Sequence, residues 1–280
     1  MILQRQTGSL YYEIHGDGNN ESIVYLNGFA SGISNWYPVI KGLKACYRNV
    51  VYDYGGTGDS ESCGGYVFCF DTYCDDLNGL LDEIGTESAH LVGYSMGGWI
   101  GQEFACRNSR RVKSLVLVNS SSRIFARQRW IISHFIDVLR DSDISVFSKL
   151  MFISYYSPEY FERHDANLDR IKNLANSYFG KQSRSNWESL LHSCLSFDAE
   201  SRLGHLRMPV LIVSGENDFL CPRMTARRFK ELIPASHWLE LASVGHAVPM
   251  ECHSDLSLAI RELLAGKFSA EAAGNLGLRC

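Results

Sequence analysis

Gly93-Tyr94-Ser95-Met96-Gly97 sets a serine between two glycines in the pattern G-x-S-x-G. Such a pattern makes a sharp strand-to-helix turn that lifts a serine hydroxyl above a sheet edge, where it can attack a carbonyl carbon. Five residues with two glycines arise readily by chance, so the flanks matter. Leu91 and Val92 close a short apolar run of the kind that forms a buried parallel strand. After Met96, the residues Trp99, Ile100, Phe104 and Ala105 recur at helical spacing. A side chain at 93 or 97 would collide across so tight a corner, and Gly98 and Gly101 let the helix lie close to its neighbours. The helix N-terminus presents free N–H groups to a developing anion.

A serine becomes a nucleophile near neutral pH only beside a base, and the base needs an orienting group. Among nine histidines, His246 follows the last expected strand, in Val244-Gly245-His246-Ala247-Val248-Pro249. That placement favours it over His15, His90, His134, His164, His192, His205, His237 and His253. Asp218 follows the preceding strand and is the candidate orienting acid, with Glu216 as its rival. The order is Ser95, Asp218, His246.

These groups need strands that deliver them to one edge. Residues 2–7 and 9–15 alternate as an antiparallel hairpin around Gly8, and 16–20 form a turn. Ser22–Leu26 and Arg48–Asp53 read as strands, each running into a loop rich in small residues, Asn27–Gly32 and Tyr54–Ser60. A helix is expected at 36–44, a loop at 61–69, and an amphipathic helix at 70–84 with Tyr73, Leu77, Leu80 and Leu81 on one face. Val112–Asn119, Met208–Gly215 and His237–Leu241 are further strands, with helices from Pro222 and over 250–266. Strand and helix alternate, so the class is α/β: a mostly parallel central sheet flanked by helices, whose strand ends line up at one edge.

From about 124 to 204 no strand pattern appears. Helices are expected at 126–141, 144–155, 158–179 and 184–197, rich in aromatics such as Trp130, Phe135, Phe147, Phe152, Tyr155, Tyr156 and Tyr160. Most of these pack between helix and core, while some line a pocket. The organisation expected is a core of residues 1–122 and 206–268, a helical cap inserted at 123–205, and a flexible tail at 269–280.

Composition excludes several classes. The chain has 280 residues, 45% of them hydrophobic and 21% charged, with a net charge of −4. This is a soluble globular balance with no general case for nucleic acid or an anionic membrane. The opening residues lack a signal-peptide core, and no apolar run nears membrane-spanning length, so a cytoplasmic protein is expected. Nine cysteines are an odd number, and Cys63, Cys69 and Cys74 lack zinc-site spacing. They read as free thiols in a reducing compartment, with Cys280 exposed.

Together the motifs resemble the α/β-hydrolase superfamily, in the form of a serine hydrolase with a helical cap, over about residues 1–266. Gly93–Gly97 is similar to its nucleophile elbow, Gly215-Glu216-Asn217-Asp218 to its acid turn, and Gly245-His246 to its histidine loop. Asn27-Gly28-Phe29 stands where the family most often carries His-Gly-X, so the resemblance implies an oxyanion hole made by the backbone N–H groups of Phe29 and Met96. Asp53–Ser60 resembles the structural turn D-x-R-G-x-G-x-S. Two residues depart from the pattern. Asn27 replaces the common histidine, as in 3-oxoadipate enol-lactonases and the bacterial 3-hydroxyacyl transferases of the rhamnolipid pathway. Gly55 replaces the arginine, which removes an ion pair.

The resemblance implies hydrolysis of a carboxylic ester, thioester or lactone through an acyl-enzyme, with no cofactor and no metal. A serine at position 95 sets the chain apart from haloalkane dehalogenases and soluble epoxide hydrolases, which carry an aspartate there. Asn27, Tyr94 and Trp130 are the expected substrate contacts. Acyl transfer is the alternative, with Arg123, Arg127 and Arg129 either holding the phosphate of a coenzyme A or acyl-carrier-protein thioester or forming a solvated basic face. A non-catalytic ligand-binding protein, C–C bond hydrolysis and perhydrolysis complete the set of readings. The expected partner is a small acyl substrate, and the oligomeric state stays open.

Overall fold

Runs of β-branched and aliphatic residues bury completely when strands lie parallel with helices on both faces, and this chain is built that way. The computed structural model describes residues 1–6, 8–16, 21–63, 66–170, 173 and 183–269. Its strands are β1 (Ile2–Arg5), β2 (Gly8–His15), β3 (Ser22–Leu26), β4 (Arg48–Tyr52), β5 (Glu61–Ser62), β6 (Ala89–Tyr94), β7 (Val112–Val118), β8 (Val210–Gly215) and β9 (His237–Leu241). The sheet order is β1-β2-β4-β3-β6-β7-β8-β9, with β5 beside β2. Every pairing from β4 through β9 is parallel, and the pairings that involve β2 are antiparallel. The C-terminal ends of β3, β6, β7 and β8 therefore share one edge.

Helices cover both faces. On one, α1 (Tyr37–Lys41) and α11 (His253–Leu264) pack on Ile23, Tyr25, Val51 and Val92. On the other, α2 (Phe70–Glu83), α3 (Met96–Arg107) and α9 (Arg223–Leu232) pack on Val24, Leu26, Leu91 and Leu115. The face expected for α2, Tyr73, Leu77, Leu80 and Leu81, is fully buried.

Between β7 and β8 lie α4 (Ala126–Asp141), α5 (Ile144–Tyr155), α6 (Pro158–His164), α7 (Arg184–Cys194) and α8 (Glu200–Leu203). The two ends of this segment meet. Arg123 and Asp198 form an antiparallel bridge, and the Ala199 N–H donates to Ser122 O at 2.9 Å. Those polar residues carry no strand periodicity, so the contact is invisible in sequence.

Several boundaries differ from expectation. The helix expected at 36–44 is a 3₁₀ turn over Ile33–Trp36 followed by α1. The loop expected at 61–69 begins with β5, which is recruited by the backbone of β2 and not by its own side chains. The closing helix is split at Cys252 into α10 (Val248–Glu251) and α11. The helix expected at 158–179 breaks after His164 into a 3₁₀ turn, Asp165–Asn167, where Asp and Asn side chains compete with the helical backbone. Its stretch beyond Arg170, apart from residue 173, lies outside the described residues, as do most of the turn at 16–20 and the tail from 270 with Cys280.

The missing arginine at position 55 has a consequence. A Cβ on Gly55 would lie 2.4 Å from the Tyr66 ring, so an aromatic side chain occupies that space. Among the described residues no cation pairs with Asp53. Its carboxylate accepts from the Ile33 N–H at 3.3 Å, the Asp59 N–H at 3.1 Å and Asn27 Nδ2 at 3.4 Å. Burial outweighs these donors and pushes its pKa up to about 6. The folded state thus holds this proton more tightly than the unfolded chain, so stability is greatest with Asp53 protonated and falls as pH rises from about 4 through about 6. The loss from this one group is on the order of 3 kcal/mol. In Asp53→Asn that component disappears. Chemical denaturation at pH 4 and pH 7 should show the variant gaining on the wild type by a comparable amount, and a difference that stays constant with pH would contradict the assignment.

Candidate active site

At the end of β6 the chain reverses into α3 within one residue, and Ser95 sits at the reversal with φ 53° and ψ −115°. A non-glycine residue in that region costs on the order of 1–3 kcal/mol, so its surroundings must hold it there. They do. The Ser95 N–H donates to Val118 O at 2.8 Å, while Ser95 O accepts from the Gly98 N–H and from Ser120 Oγ, each at 2.9 Å. The glycines answer to close approach: a Cβ on Gly93 would stand 2.4 Å from Gly97 O, and one on Gly97 2.1 Å from Leu26 O.

The structure brings Ser95, His246 and Asp218 into one hydrogen-bonded chain. His246 Nε2 lies 2.9 Å from Ser95 Oγ, and His246 Nδ1 lies 2.9 Å from Asp218 Oδ2. A carboxylate only accepts, so Nδ1 carries the hydrogen and Nε2 is free to accept from the serine hydroxyl. All three side chains are buried. Asp218 Oδ1 accepts the Leu220 and Cys221 N–H groups, each at 2.8 Å, which fixes the carboxylate plane. The rival acid is turned away: exposed Glu216 caps the Ser243 N–H at 2.9 Å. Rings flank the imidazole, Tyr94 at 5.2 Å and Tyr155 at 5.1 Å between centroids, and limit its rotation.

The loop after β3 runs beside the serine. A Cβ on Gly28 would stand 3.3 Å from Ser95 Cβ. Among the described residues, the backbone N–H groups of Phe29 and Met96 donate to no protein acceptor. Phe29 lines the same cavity as Ser95, and Met96 follows Ser95 directly at the start of α3. Tyr155 Oη donates to Phe29 O at 2.7 Å, which ties the C-terminus of α5 to this loop.

Ser95 opens into an apolar cavity of about 50 Å³ lined by Phe29, Trp99, Gln128, Ile131, Ile132, Phe135, Tyr155, Leu191, Cys194, Leu220 and Cys221. The expected substrate contacts are not among them. Asn27 is buried, and its amide is spent on structure: Nδ2 donates to Tyr52 O and Oδ1 accepts from Trp36 Nε1, each at 2.8 Å. Tyr94 lies buried beneath the loop at 27–29. Trp130 is 80% exposed, because α4 turns Gln128, Ile132, Phe135, Ile136 and Leu139 inward and position 130 falls on its outer face. Two of the three arginines have internal partners. Arg123 pairs with Glu200 at 3.4 Å, and Arg127 donates to Phe219 O and lies over the Phe219 ring.

Among the described residues, Asp218, Cys221 and His246 form the group that could hold a metal ion, with ligand atoms within 4.8 Å of one another. Asp218 and His246 are already joined to each other, and burial keeps the Cys221 thiol protonated. None of the described helices is long and apolar enough to cross a membrane. Sequence reasoning did not single out Asn119, Glu251 or Cys221, which all contact this site. Asn119 follows a strand at the correct edge, which is the only signal it offered.

Comparison with known proteins agrees with this architecture. The family model described as alpha/beta hydrolase fold matches residues 21–251. The protein named "Putative carbamate hydrolase RutD" of Azorhizobium caulinodans is 31% identical over 241 residues, covering 85% of this chain and 88% of its own. MGS-M2, an alpha/beta hydrolase enzyme from a deep-sea metagenome library of the Medee basin, superposes with a TM-score of 0.88 at 23% identity, covering 96% of this chain and 98% of its own. The enol-lactonase of Burkholderia xenovorans superposes with a TM-score of 0.82 at 22% identity, covering 92% and 97%.

The contact at Gly97 is a direct test of the elbow. In Gly97→Ala the added methyl meets Leu26 O at 2.1 Å and Asn27 O at 2.7 Å, backbone atoms that cannot swing aside. A melting temperature lowered by several degrees is expected. A variant that melts with the wild type would show that the corner is looser than described.

Proposed function

The chain belongs to the α/β-hydrolase family of enzymes, and from that membership we propose that it hydrolyses a carboxylic ester, thioester or lactone through an acyl-enzyme on Ser95. The observation that carries this reading is the buried hydrogen-bonded chain from Ser95 through His246 to Asp218, opening on an apolar cavity. His246 Nε2 takes the proton of Ser95 Oγ as the oxygen bonds to the carbonyl carbon. The electron pair displaced onto the carbonyl oxygen is met by the Phe29 and Met96 N–H groups. His246 then gives its proton to the departing oxygen or sulfur, and the C–O or C–S bond breaks. A water, deprotonated by the same nitrogen, attacks the acyl-enzyme; the bond to Ser95 Oγ breaks, that oxygen takes the proton back from His246, and the acid is released. Asp218 stays ionised throughout, holding the tautomer and stabilising the imidazolium.

The cavity narrows the substrate. Its lining carries no lysine, arginine or histidine, so an anionic acyl group would be buried without a partner, at a cost of several kcal/mol. A neutral acyl group suits such a lining, and Phe135 is among the side chains that bound it. The helices between β7 and β8 act as a lid that excludes water, and the internal partners of Arg123 and Arg127 favour hydrolysis over delivery from a phosphate-bearing carrier. A carbamate, as in the name of the relatives, presents the same kind of carbonyl and belongs in the substrate panel.

A fluorophosphonate probe should label Ser95 in the wild type, as read by peptide mass, and leave Ser95→Ala unlabelled. Turnover of a short-chain ester in that variant should fall roughly 10⁴-fold or more. Full turnover by Ser95→Ala would sink the mechanism. On a series of acyl esters, Phe135→Ala should shift the optimum to longer chains than the wild type prefers. An optimum that the substitution leaves unmoved would overturn the assignment of this cavity to the acyl group alone.

A further inference from the structure

Asn119 follows β7 at φ 45°, in the left-handed region that asparagine tolerates better than most residues, and is 1% exposed. Its side chain reaches two other segments. Nδ2 donates to Gly245 O at 2.9 Å and to His246 O at 2.7 Å, and Oδ1 accepts from the Gly215 N–H at 2.8 Å. Its own N–H donates to Val213 O at 2.8 Å. The two carbonyls belong to the loop that carries His246. The Gly215 N–H ends β8, from which the Asp218 turn departs. One buried amide thus ties the strand beside the elbow to the main chain of the base and to the strand end that delivers the acid. Both amide hydrogens are used. A serine offers only one hydrogen, and an ionised aspartate offers none.

We propose that Asn119 is a positioning residue of the serine hydrolase reaction: its amide fixes the main chain of His246 so that the imidazole stays between Ser95 and Asp218. The inference rests on the reading of Ser95, His246 and Asp218 given above. The Val248 N–H also donates to His246 O, at 3.0 Å, but from within the same loop, so it cannot hold that loop to the sheet. Asn119 touches neither substrate nor reacting atoms. Its removal should therefore lower kcat and leave KM nearly unchanged.

The test compares wild type with Asn119→Asp and Asn119→Ser, using a short-chain ester, thermal melting, and proton NMR of the imidazole N–H that His246 shares with Asp218. In Asn119→Asp at pH 8 the added charge faces two carbonyls. We expect kcat to fall roughly 10- to 100-fold, KM to stay within threefold, and the imidazole resonance to broaden or vanish in protein that remains folded. As the pH is lowered, a protonated aspartate regains one donor, so the activity of the variant relative to wild type should rise. Asn119→Ser keeps a single donor and should lie between the two. It carries the kinetic and NMR arms if Asn119→Asp does not fold. A residue that only stabilised the fold would lower the melting temperature and leave kcat and the imidazole signal of the folded protein at wild-type values. That result overturns the inference, as does a ratio to wild type that does not move with pH. Full turnover by Ser95→Ala would remove the underlying reading and this inference with it, whereas inactive Ser95→Ala beside fully active Asn119 variants removes this inference alone.

Discussion

The structure depends on one unfavourable backbone conformation. Ser95 is held at φ 53° and ψ −115°, which no serine adopts unforced. The strain is sustained by a strand end and a helix start packed so closely that only glycine fits at 93 and 97, by the hydrogen bond from the Ser95 N–H to β7, and by the one that Ser95 O accepts from the Ser120 hydroxyl. The result is a hydroxyl raised above the sheet edge and a helix N-terminus directly behind it. Relaxing this corner would withdraw the hydroxyl from His246 and would also shift the loop at 27–29, which lies against the same glycines.

The rest of the machinery is a matter of convergence. A parallel sheet sends its strand ends to one edge, so the segments after β3, β6, β7 and β8 meet there although they lie far apart in the chain. Each contributes something different: the backbone N–H of Phe29, the serine at 95, the amide of Asn119 and the carboxylate of Asp218. The histidine loop leaves the end of β9 at the same edge. It is held from the sheet side by Asn119 and by the Asn217 N–H, which donates to Val244 O at 2.9 Å, and from the other side by the C-terminus of α5, where Tyr155 O accepts the Ala247 N–H at 2.9 Å. Glu251 strengthens the second clamp. Its carboxylate takes the Gly245 N–H at 3.1 Å and both the N–H and the hydroxyl of Ser157. That carboxylate is partly desolvated, and burial raises its pKa.

The helices between β7 and β8 are therefore tied into the edge they cover. Tyr155 touches the loop at 27–29 through its hydroxyl, His246 through its ring and the histidine loop through its carbonyl. This segment is thereby coupled to the geometry beneath it, so the shape of the cavity and the alignment of the imidazole depend on the same packing. Hydrogen bonds among the buried side chains of Ser95, His246 and Asp218 lie in a less polar setting than water and are electrostatically stronger for it.

The sequence by itself determined the alternation of strand and helix, the elbow, and the order of serine, acid and base. Each of these is written in local chemistry: two glycines around a serine, runs of Val, Ile and Leu, and polar turns at strand ends. Position in the chain also sufficed to rank His246 above eight other histidines, because it follows the last strand. What only the tertiary structure decided concerns side-chain direction and partners across long separations. Asp218 and Glu216 are two residues apart and chemically alike, and the fold alone turns one inward and the other to solvent. Asn27, Tyr94 and Trp130 have the chemistry of ligand contacts, yet packing commits the first two to the core and leaves the third on the outside of α4. Asn119 reads as one polar residue among the serines that follow it, and its bonds to residues 215, 245 and 246 exist only once three strand ends lie side by side. Local patterns are set by neighbours a few residues away, whereas the direction of a polar side chain is set by whichever distant backbone group needs its hydrogen bond.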